Sequence, residues 1–382
     1  MTLYIKNGNV WAPESLGIKD LIVANGQILE MDTLWSVPNN ARTIDASGLH
    51  VVPGFIDQHI HITGAGGKDG YASMTKEFSA QELLQAGTTT VVGLLGTDGS
   101  ARSLQSVYAK AKALSSEGVN GYMYTGYYGI DPVHLMSSAK EDLMFIDNVL
   151  GCKVAISDIR SSFPTDLELV RLLRDVRVGG MLAGKKGIVH LHLGNLPERM
   201  DALFRIVHDY GFPIKHISPT HVARTESLFE HAIEFAKLGG SIDISTGASK
   251  YTEPHLAVLR AIEEGVPEQL ITFSTDGNAG LTHFDSEGHA DGTRPADPHS
   301  NLWEFQNLVR SGHVNPATAL KLVTSNPADN LGLKHIGRIL SGAQADLLFF
   351  DDQWILQHVV SKGEVRVFDG KVVYNTNLKD NE

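Results

Sequence analysis

The sequence predicts an α/β fold: a (β/α)8 TIM barrel with a small β-sandwich layer formed from both termini. Three observations lead there. Eight apolar, β-rich runs recur at about 51–56, 88–96, 120–127, 151–157, 187–193, 217–222, 241–246 and 270–275, and amphipathic segments with helix signals separate most of them. The two ends of the chain read differently, as short strands broken by turns. Residues that ligate metals stand at the ends of several runs, where such a barrel gathers its functional groups.

In the N-terminal segment, Leu3-Tyr-Ile-Lys6 and Asp20-Leu-Ile-Val23 are β-runs, with Asn7-Gly8 and Asn25-Gly26 as hairpin signals. The C-terminus answers with Asp346-Leu-Leu-Phe-Phe350, Val365-Arg-Val-Phe368 and Lys371-Val-Val-Tyr374, the last two joined by Asp369-Gly370. Residues 1–52 and 331–382 are therefore expected to form the small layer, and 53–330 the barrel. Within the barrel, Ser79-Ala-Gln-Glu82 and Thr165-Asp-Leu-Glu168 have the form of capping boxes. Pro197 is expected to open a helix over Glu198–Tyr210 that closes at Gly211. Asn315-Pro316 opens another, stopped by Asn326-Pro327. A doubly wound open sheet is the rival topology, but no Gly-x-Gly-x-x-Gly follows the first strand, so dinucleotide binding lacks support.

The 382 residues, 42% of them hydrophobic, suffice for one large core. Acidic residues number 44 against 32 basic ones, a net charge of -12, which disfavours nucleic acid and anionic membranes as partners. No apolar run reaches about 18 residues, so no transmembrane helix is expected. Nor is a signal peptide, because Met1-Thr-Leu-Tyr-Ile-Lys6 lacks a charged region followed by an apolar one. The single cysteine, Cys152, excludes an intrachain disulfide and a cysteine-rich zinc cluster and fits a reducing cytoplasm.

His59 and His61 end the first barrel run, Gly54-Phe-Ile-Asp-Gln-His-Ile-His61. Alternate strand residues face the same way, so both imidazoles can reach one metal; the plainer alternative is two strand-end histidines bonded to backbone. Asp57 shares their face and is placed to orient a ligand from behind. Lys153 interrupts the apolar run Leu150-Gly-Cys-Lys-Val-Ala-Ile156. A buried ammonium is costly, and burial lowers a lysine's pKa. Lys153 therefore either snorkels to water or stays neutral and captures carbon dioxide as a carbamate able to bridge two cations, while Cys152 packs on the opposite side. Val189-His-Leu-His-Leu193 offers His190 and His192 on one face, and both remain candidates. His221 closes Ile217-Ser-Pro-Thr-His221, and Asp276 closes Ile271-Thr-Phe-Ser-Thr-Asp276, where an ordinary turn aspartate is the bland alternative. The spacing fits whole βα units: about three from His61 to Lys153, one each on to His192 and His221, and two to Asp276. Four histidines, a lysine and an aspartate so placed describe a two-metal hydrolase.

Pro53-Gly-Phe-Ile-Asp-x-His-x-His61, the mid-chain lysine, the two later histidines and Asp276 resemble the amidohydrolase superfamily. Val92-Gly-Leu-Leu-Gly-Thr-Asp98, Lys153-x-Ala-Ile-Ser-Asp-x-Arg160, Pro219-Thr-His-Val-x-Arg224 and Ser274-x-Asp-Gly-Asn278 are similar, more narrowly, to its isoaspartyl dipeptidase family. The likeness runs through the whole chain. It implies two zinc ions per subunit: one on His59, His61 and Asp276, the other on His192 and His221, with carbamylated Lys153 bridging. It implies hydrolysis of β-aspartyl (isoaspartyl) dipeptides by a metal-bridging hydroxide, with Asp276 as general base and acid. Tyr128 would support the oxyanion, with Tyr127 as its competitor. Arg160 and Arg224 would clamp a substrate carboxylate. Thr97 and the glycine turn with Gly66 and Gly67 would let the backbone approach the substrate. A cytoplasmic homo-octamer is also implied.

Two positions depart from that family. Lys68 stands where it has a glutamate that contacts the substrate's α-amino group, and Gly280 where it has a serine. Lys68 reverses the charge and should repel an ammonium; Asp69 replaces the glutamate only if the loop shifts. These departures keep open another amidohydrolase activity, on a carboxylate-bearing N-acyl amino acid or a cyclic amide. A catalytically silent binding protein is the reading from another class, opposed by the complete ligand set.

Overall fold

The computed structural model describes residues 2–32, 40–248 and 251–373. The N-terminal segment forms β1 (Thr2–Trp11), β2 (Ser15–Ala24), β3 (Gln27–Asp32), β4 (Arg42–Asp45) and β5 (His50–Pro53). Asn25-Gly26 turns β2 into β3 with φ of 51° and 76°, the left-handed pair a tight hairpin requires. Asn7-Gly8 behaves otherwise. The pairing of β1 with β2 slips between Ile5 and Gly8 and then continues, so the expected turn is a bulge inside one strand.

The barrel follows. Its strands are β6 (Phe55–Ile60), β7 (Thr88–Gly93), β8 (Asn120–Gly126), β9 (Val149–Ile156), β10 (Ile188–Leu193), β11 (Ile217–Thr220), β12 (Ile242–Ser245) and β13 (Ile271–Ser274). They pair in chain order from β6 to β13, and almost every residue in them is buried. Helices cover such strands on one face and barrel neighbours fill the other, which is why the runs read as continuous apolar stretches rather than alternating ones. Two backbone bonds draw the first and last strands together: Asp276 donates to the His59 carbonyl at 3.1 Å and His61 to the Gly277 carbonyl at 3.0 Å. The closure itself thus brings His59, His61 and Asp276 side by side.

Both capping boxes form, opening helices at Ala80–Gln85 and Asp166–Leu182. The helix expected from Glu198 begins only at Asp201, because Arg199 takes φ 51° and breaks the first turn. Asn315 caps Pro316–Val323 as expected, but Asn326-Pro327 does not stop it. That helix ends at Thr324, and Pro327 falls in the first turn of the next helix, Ser325–Leu331, where a missing N–H costs nothing. The antiparallel hairpin β14 (Gly280–Phe284) and β15 (Ala290–Pro295) follows β13 and was not anticipated.

The chain then returns to the terminal layer as β16 (Leu347–Phe350), β17 (Leu356–Ser361), β18 (Glu364–Phe368) and β19 (Lys371–Val372). The expected final strand reached Tyr374, which lies outside the described residues. The nine terminal strands form one sheet, ordered β19-β18-β17-β16-β5-β1-β2-β3 with β4 on β1. It has its own apolar core, including Leu3, Ile5, Leu21, Ile28, Phe349 and Val360. Buried Asp346 ties it to the barrel, accepting from Asn120 Nδ2 at 2.8 Å, Gln344 Nε2 at 2.7 Å and the Lys362 amide at 2.8 Å. Among the described residues, no helix is long and apolar enough to cross a membrane.

Candidate metal centre and pocket

Five of the six expected ligands meet at the C-terminal mouth of the barrel. Ligand atoms of His59, His221 and Asp276 lie within 4.8 Å of one another. Asp276 Oδ1 is 3.3 Å from His59 Nε2 and 3.2 Å from His61 Nε2, and Lys153 Nζ is 3.3 Å from His59 Nε2. His221 and Asp276 take φ of 61° and 52°, a strained conformation for residues with a Cβ and a frequent mark of functional sites. Every member is buried.

The electrostatics suit cation binding. Burial, reinforced by the Lys153 charge, pushes His59 down to about 3. His221 is also held well below its ordinary range, chiefly by burial. Neutral imidazole is the form that binds a metal. Burial alone would raise Asp276, but His221 and the hydrogen bonds from His59 and His61 hold it well below the usual carboxylate range. Burial brings Lys153 down to about 7. An acceptor-only aspartate, neutral imidazoles and a desolvated amine form a donor set that fits divalent ions.

The sixth expected ligand, His192, is engaged by other partners. His192 stacks near His221, with ring centroids 4.6 Å apart, yet its Nε2 contacts Asp158 Oδ2 at 2.9 Å and its Nδ1 contacts the Tyr128 hydroxyl at 2.9 Å. His190, its rival on β10, points deeper and meets His59 Nδ1 at 2.9 Å. Asp57 does not orient an imidazole. It accepts from the His59 amide at 3.1 Å and from the Thr275 amide at 3.2 Å, clamping β6 to the segment that carries Asp276. Ser245 Oγ, 2.5 Å from His221 Nδ1, fixes that ring instead. Cys152 packs in the apolar cluster as expected.

Beyond these residues opens a cavity of about 1390 Å³, lined among others by Gly66, Gly67, Lys68, Thr97, Tyr128, Arg160, Arg224 and Gly280. Every expected substrate-contact residue therefore borders it. Tyr128 lines the cavity, whereas the ring of Tyr127 packs against Gly99 and Gly129. Burial raises the Tyr128 hydroxyl, so it stays protonated as a donor. Arg224 makes no ion pair among the described residues, whereas Arg160 spends its fork on Asp158, with Nε at 2.9 Å and Nη2 at 2.6 Å. Arg160 also covers the Tyr128 ring at 5.3 Å. Arg160 thus lines the cavity while held against Asp158 and Tyr128; Asp158, quoted only as part of a motif, gave no separate signal for this contact.

The hairpin β14–β15 roofs the cavity. Lys68 Nζ donates to Thr282 Oγ1 at 2.6 Å, and Asp69 accepts from Thr293 at 3.2 Å. Gly280 lies against the glycine turn: a Cβ there would stand 2.9 Å from Gly66 Cα and 3.2 Å from Thr293 Cγ2. A serine has no room in this packing, so Gly280 follows from how the roof is seated.

The family model described as the amidohydrolase family matches residues 50–373. The chain belongs to the amidohydrolase family and is a metal-dependent hydrolase. Within that family it is similar to the β-aspartyl dipeptidase of Fervidobacterium islandicum AW-1, solved in complex with β-Asp-Leu dipeptide. The two are 39% identical, each chain is covered completely, and the TM-score is 0.91. Among curated proteins it is similar to the dihydroorotase of Aquifex aeolicus, 25% identical over 100% of this chain and 98% of that protein. A D-hydantoinase structure shares the fold, at 20% identity and a TM-score of 0.69 over 97% of this chain and 96% of that one.

Proposed function

We propose that this chain hydrolyses β-aspartyl dipeptides at a binuclear site. The observation that carries the reading is the buried cluster of His59, His221 and Asp276 within 4.8 Å, beside a desolvated Lys153. Bound there, two divalent ions, with zinc the ion proposed, supply a hydroxide nucleophile at neutral pH and polarise the scissile carbonyl. His59, His61 and Asp276 would hold one ion and His221 the other, with His192 joining once it releases Asp158. Carbamylated Lys153 would bridge them. Asp276 takes the nucleophile's proton and delivers it to the leaving nitrogen. Tyr128, protonated and braced by His192 and Arg160, donates to the oxygen that gains charge. Arg224 offers its fork to a substrate carboxylate. The full-length likeness to a dipeptidase solved with β-Asp-Leu supports the substrate class.

A second reading concerns specificity. Lys68, exposed and hydrogen-bonded to the Thr282 hydroxyl, lines the cavity where a free α-amino group would be expected. It favours a substrate whose amine is acylated, and the dihydroorotase likeness extends the range to cyclic amides. A homo-oligomer in a reducing cytoplasm is proposed from the family resemblance. Turnover of β-Asp-Leu, α-Asp-Leu, N-acetyl-β-Asp-Leu and a cyclic amide on one metal-analysed sample tests the proposal. Preference for β-Asp-Leu is expected; turnover of the cyclic amide alone would overturn it, and preference for the acylated analogue would transfer the assignment to the second reading.

A further inference from the structure

We propose that His190 is the positioning residue of the metal centre: it sets which nitrogen of His59 faces the cation. This rests on the metal-centre reading above and concerns residues to which no role has been given.

Buried Asp243, on β12, accepts from Gln58 Nε2 at 2.8 Å, Thr272 Oγ1 at 2.8 Å, and Thr220 and Ser274 hydroxyls at 2.6 Å each. A carboxylate so surrounded can only accept, so the amide nitrogen of Gln58 must face it. Gln58 Oε1 is then left to accept, and Asn330 Nδ2 donates to it at 2.9 Å. The second proton on that nitrogen goes to Ser218 Oγ, also at 2.9 Å. Ser218 Oγ meets His190 Nδ1 at 3.1 Å, and His190 Nε2 meets His59 Nδ1 at 2.9 Å. Tyr124 stacks on the His190 ring, centroids 4.9 Å apart and planes 17° apart, which fixes its orientation.

Nothing in this chain fixes the last two links except the state of His59. Its Nε2 is the atom beside Asp276 and Lys153. For that nitrogen to offer a lone pair, the ring proton must sit on Nδ1 and be donated to His190 Nε2. His190 must then carry its own proton on Nδ1 and donate to Ser218 Oγ, whose lone pairs accept both His190 and Asn330. In this setting the ring nitrogens of both histidines and both protons of the Asn330 amide nitrogen are paired. An apolar residue at 190 leaves the His59 Nδ1–H buried and unpaired, which favours the tautomer that turns a proton toward the metal.

The test uses the full chain and Zn2+ in competition with a chelator. His190→Leu should weaken zinc affinity about 10- to 100-fold, the range typical of lost ligand-orienting partners. His190→Gln, whose side-chain oxygen can accept from His59, should recover most of it. Nitrogen-15 NMR of the wild-type holoprotein should report His59 protonated at Nδ1. Unchanged affinity in a folded His190→Leu, failure of glutamine to rescue, or a His59 proton on Nε2 overturns the proposal. The NMR measurement decides the matter even if His190→Leu does not fold. Absence of zinc binding in the wild type would instead reject the underlying metal centre.

Discussion

At the residue scale, Lys153 is the group whose chemistry is most sharply constrained. Burial lowers its pKa from 10.5 to about 7. The folded apoprotein therefore binds fewer protons than the unfolded chain between these values. Its stability should rise with pH across that window and be lowest below about 7. Carbon dioxide reacts with the neutral amine, so apoprotein supplied with zinc and bicarbonate should regain activity faster at pH 8 than at pH 6; equal rates would contradict a carbamate. Lys153→Ala should lower kcat/KM by about 100-fold or more, with partial recovery on adding short carboxylic acids. Full activity without rescue would rule out the bridge. Arg224→Met should lower kcat/KM about 10- to 100-fold through loss of a charge-assisted pair, and more than Thr97→Val does; an equal effect would remove Arg224 from carboxylate binding. His59, His61, His221, Asp276 and Lys153 were legible because each ends, or interrupts, an apolar run. Asp158 and Ser245 were not, since their roles depend on which neighbour reaches them across the barrel.

At the element scale, strands and capping boxes followed from local pattern, and misreadings arose where pairing overrode it. Asn7-Gly8 carries a turn signal, yet the partner strand continues beyond it. Pro327 carries a stop signal, yet a helix starts just ahead of it. The hairpin β14–β15 escaped notice because its strands are mixed in polarity and largely exposed, so no apolar periodicity marks them. This element decides the fit of Gly280. Gly280→Ser should displace the hairpin from Gly66, raise KM several-fold and leave metal content unchanged. A variant with unaltered KM would show that the roof does not touch the substrate.

At the scale of the whole molecule, the barrel and the terminal sheet share an apolar cluster that includes Phe55, Phe305 and Phe350, and buried polar groups also join them. Asp346 is completely buried and collects donors from the barrel residue Asn120 as well as from Gln344 and Lys362. Asp346→Ala leaves those donors unpaired and should destabilise the fold by about 3 kcal/mol, visible as a lowered thermal midpoint. An unchanged midpoint would mean that the two layers are joined by apolar packing alone. Both layers were legible from where β-rich and alternating segments fall, but the joint was not, because its partners lie far apart in sequence. Two metal ions serving the chemistry are the central expectation for this chain. Elemental analysis of the purified full chain, with β-Asp-Leu turnover followed on the same sample during chelation, measures this directly. Two divalent ions per chain, and activity that falls with their removal and returns with zinc, is the expected result. A metal-free protein that still cleaves the dipeptide would contradict the account.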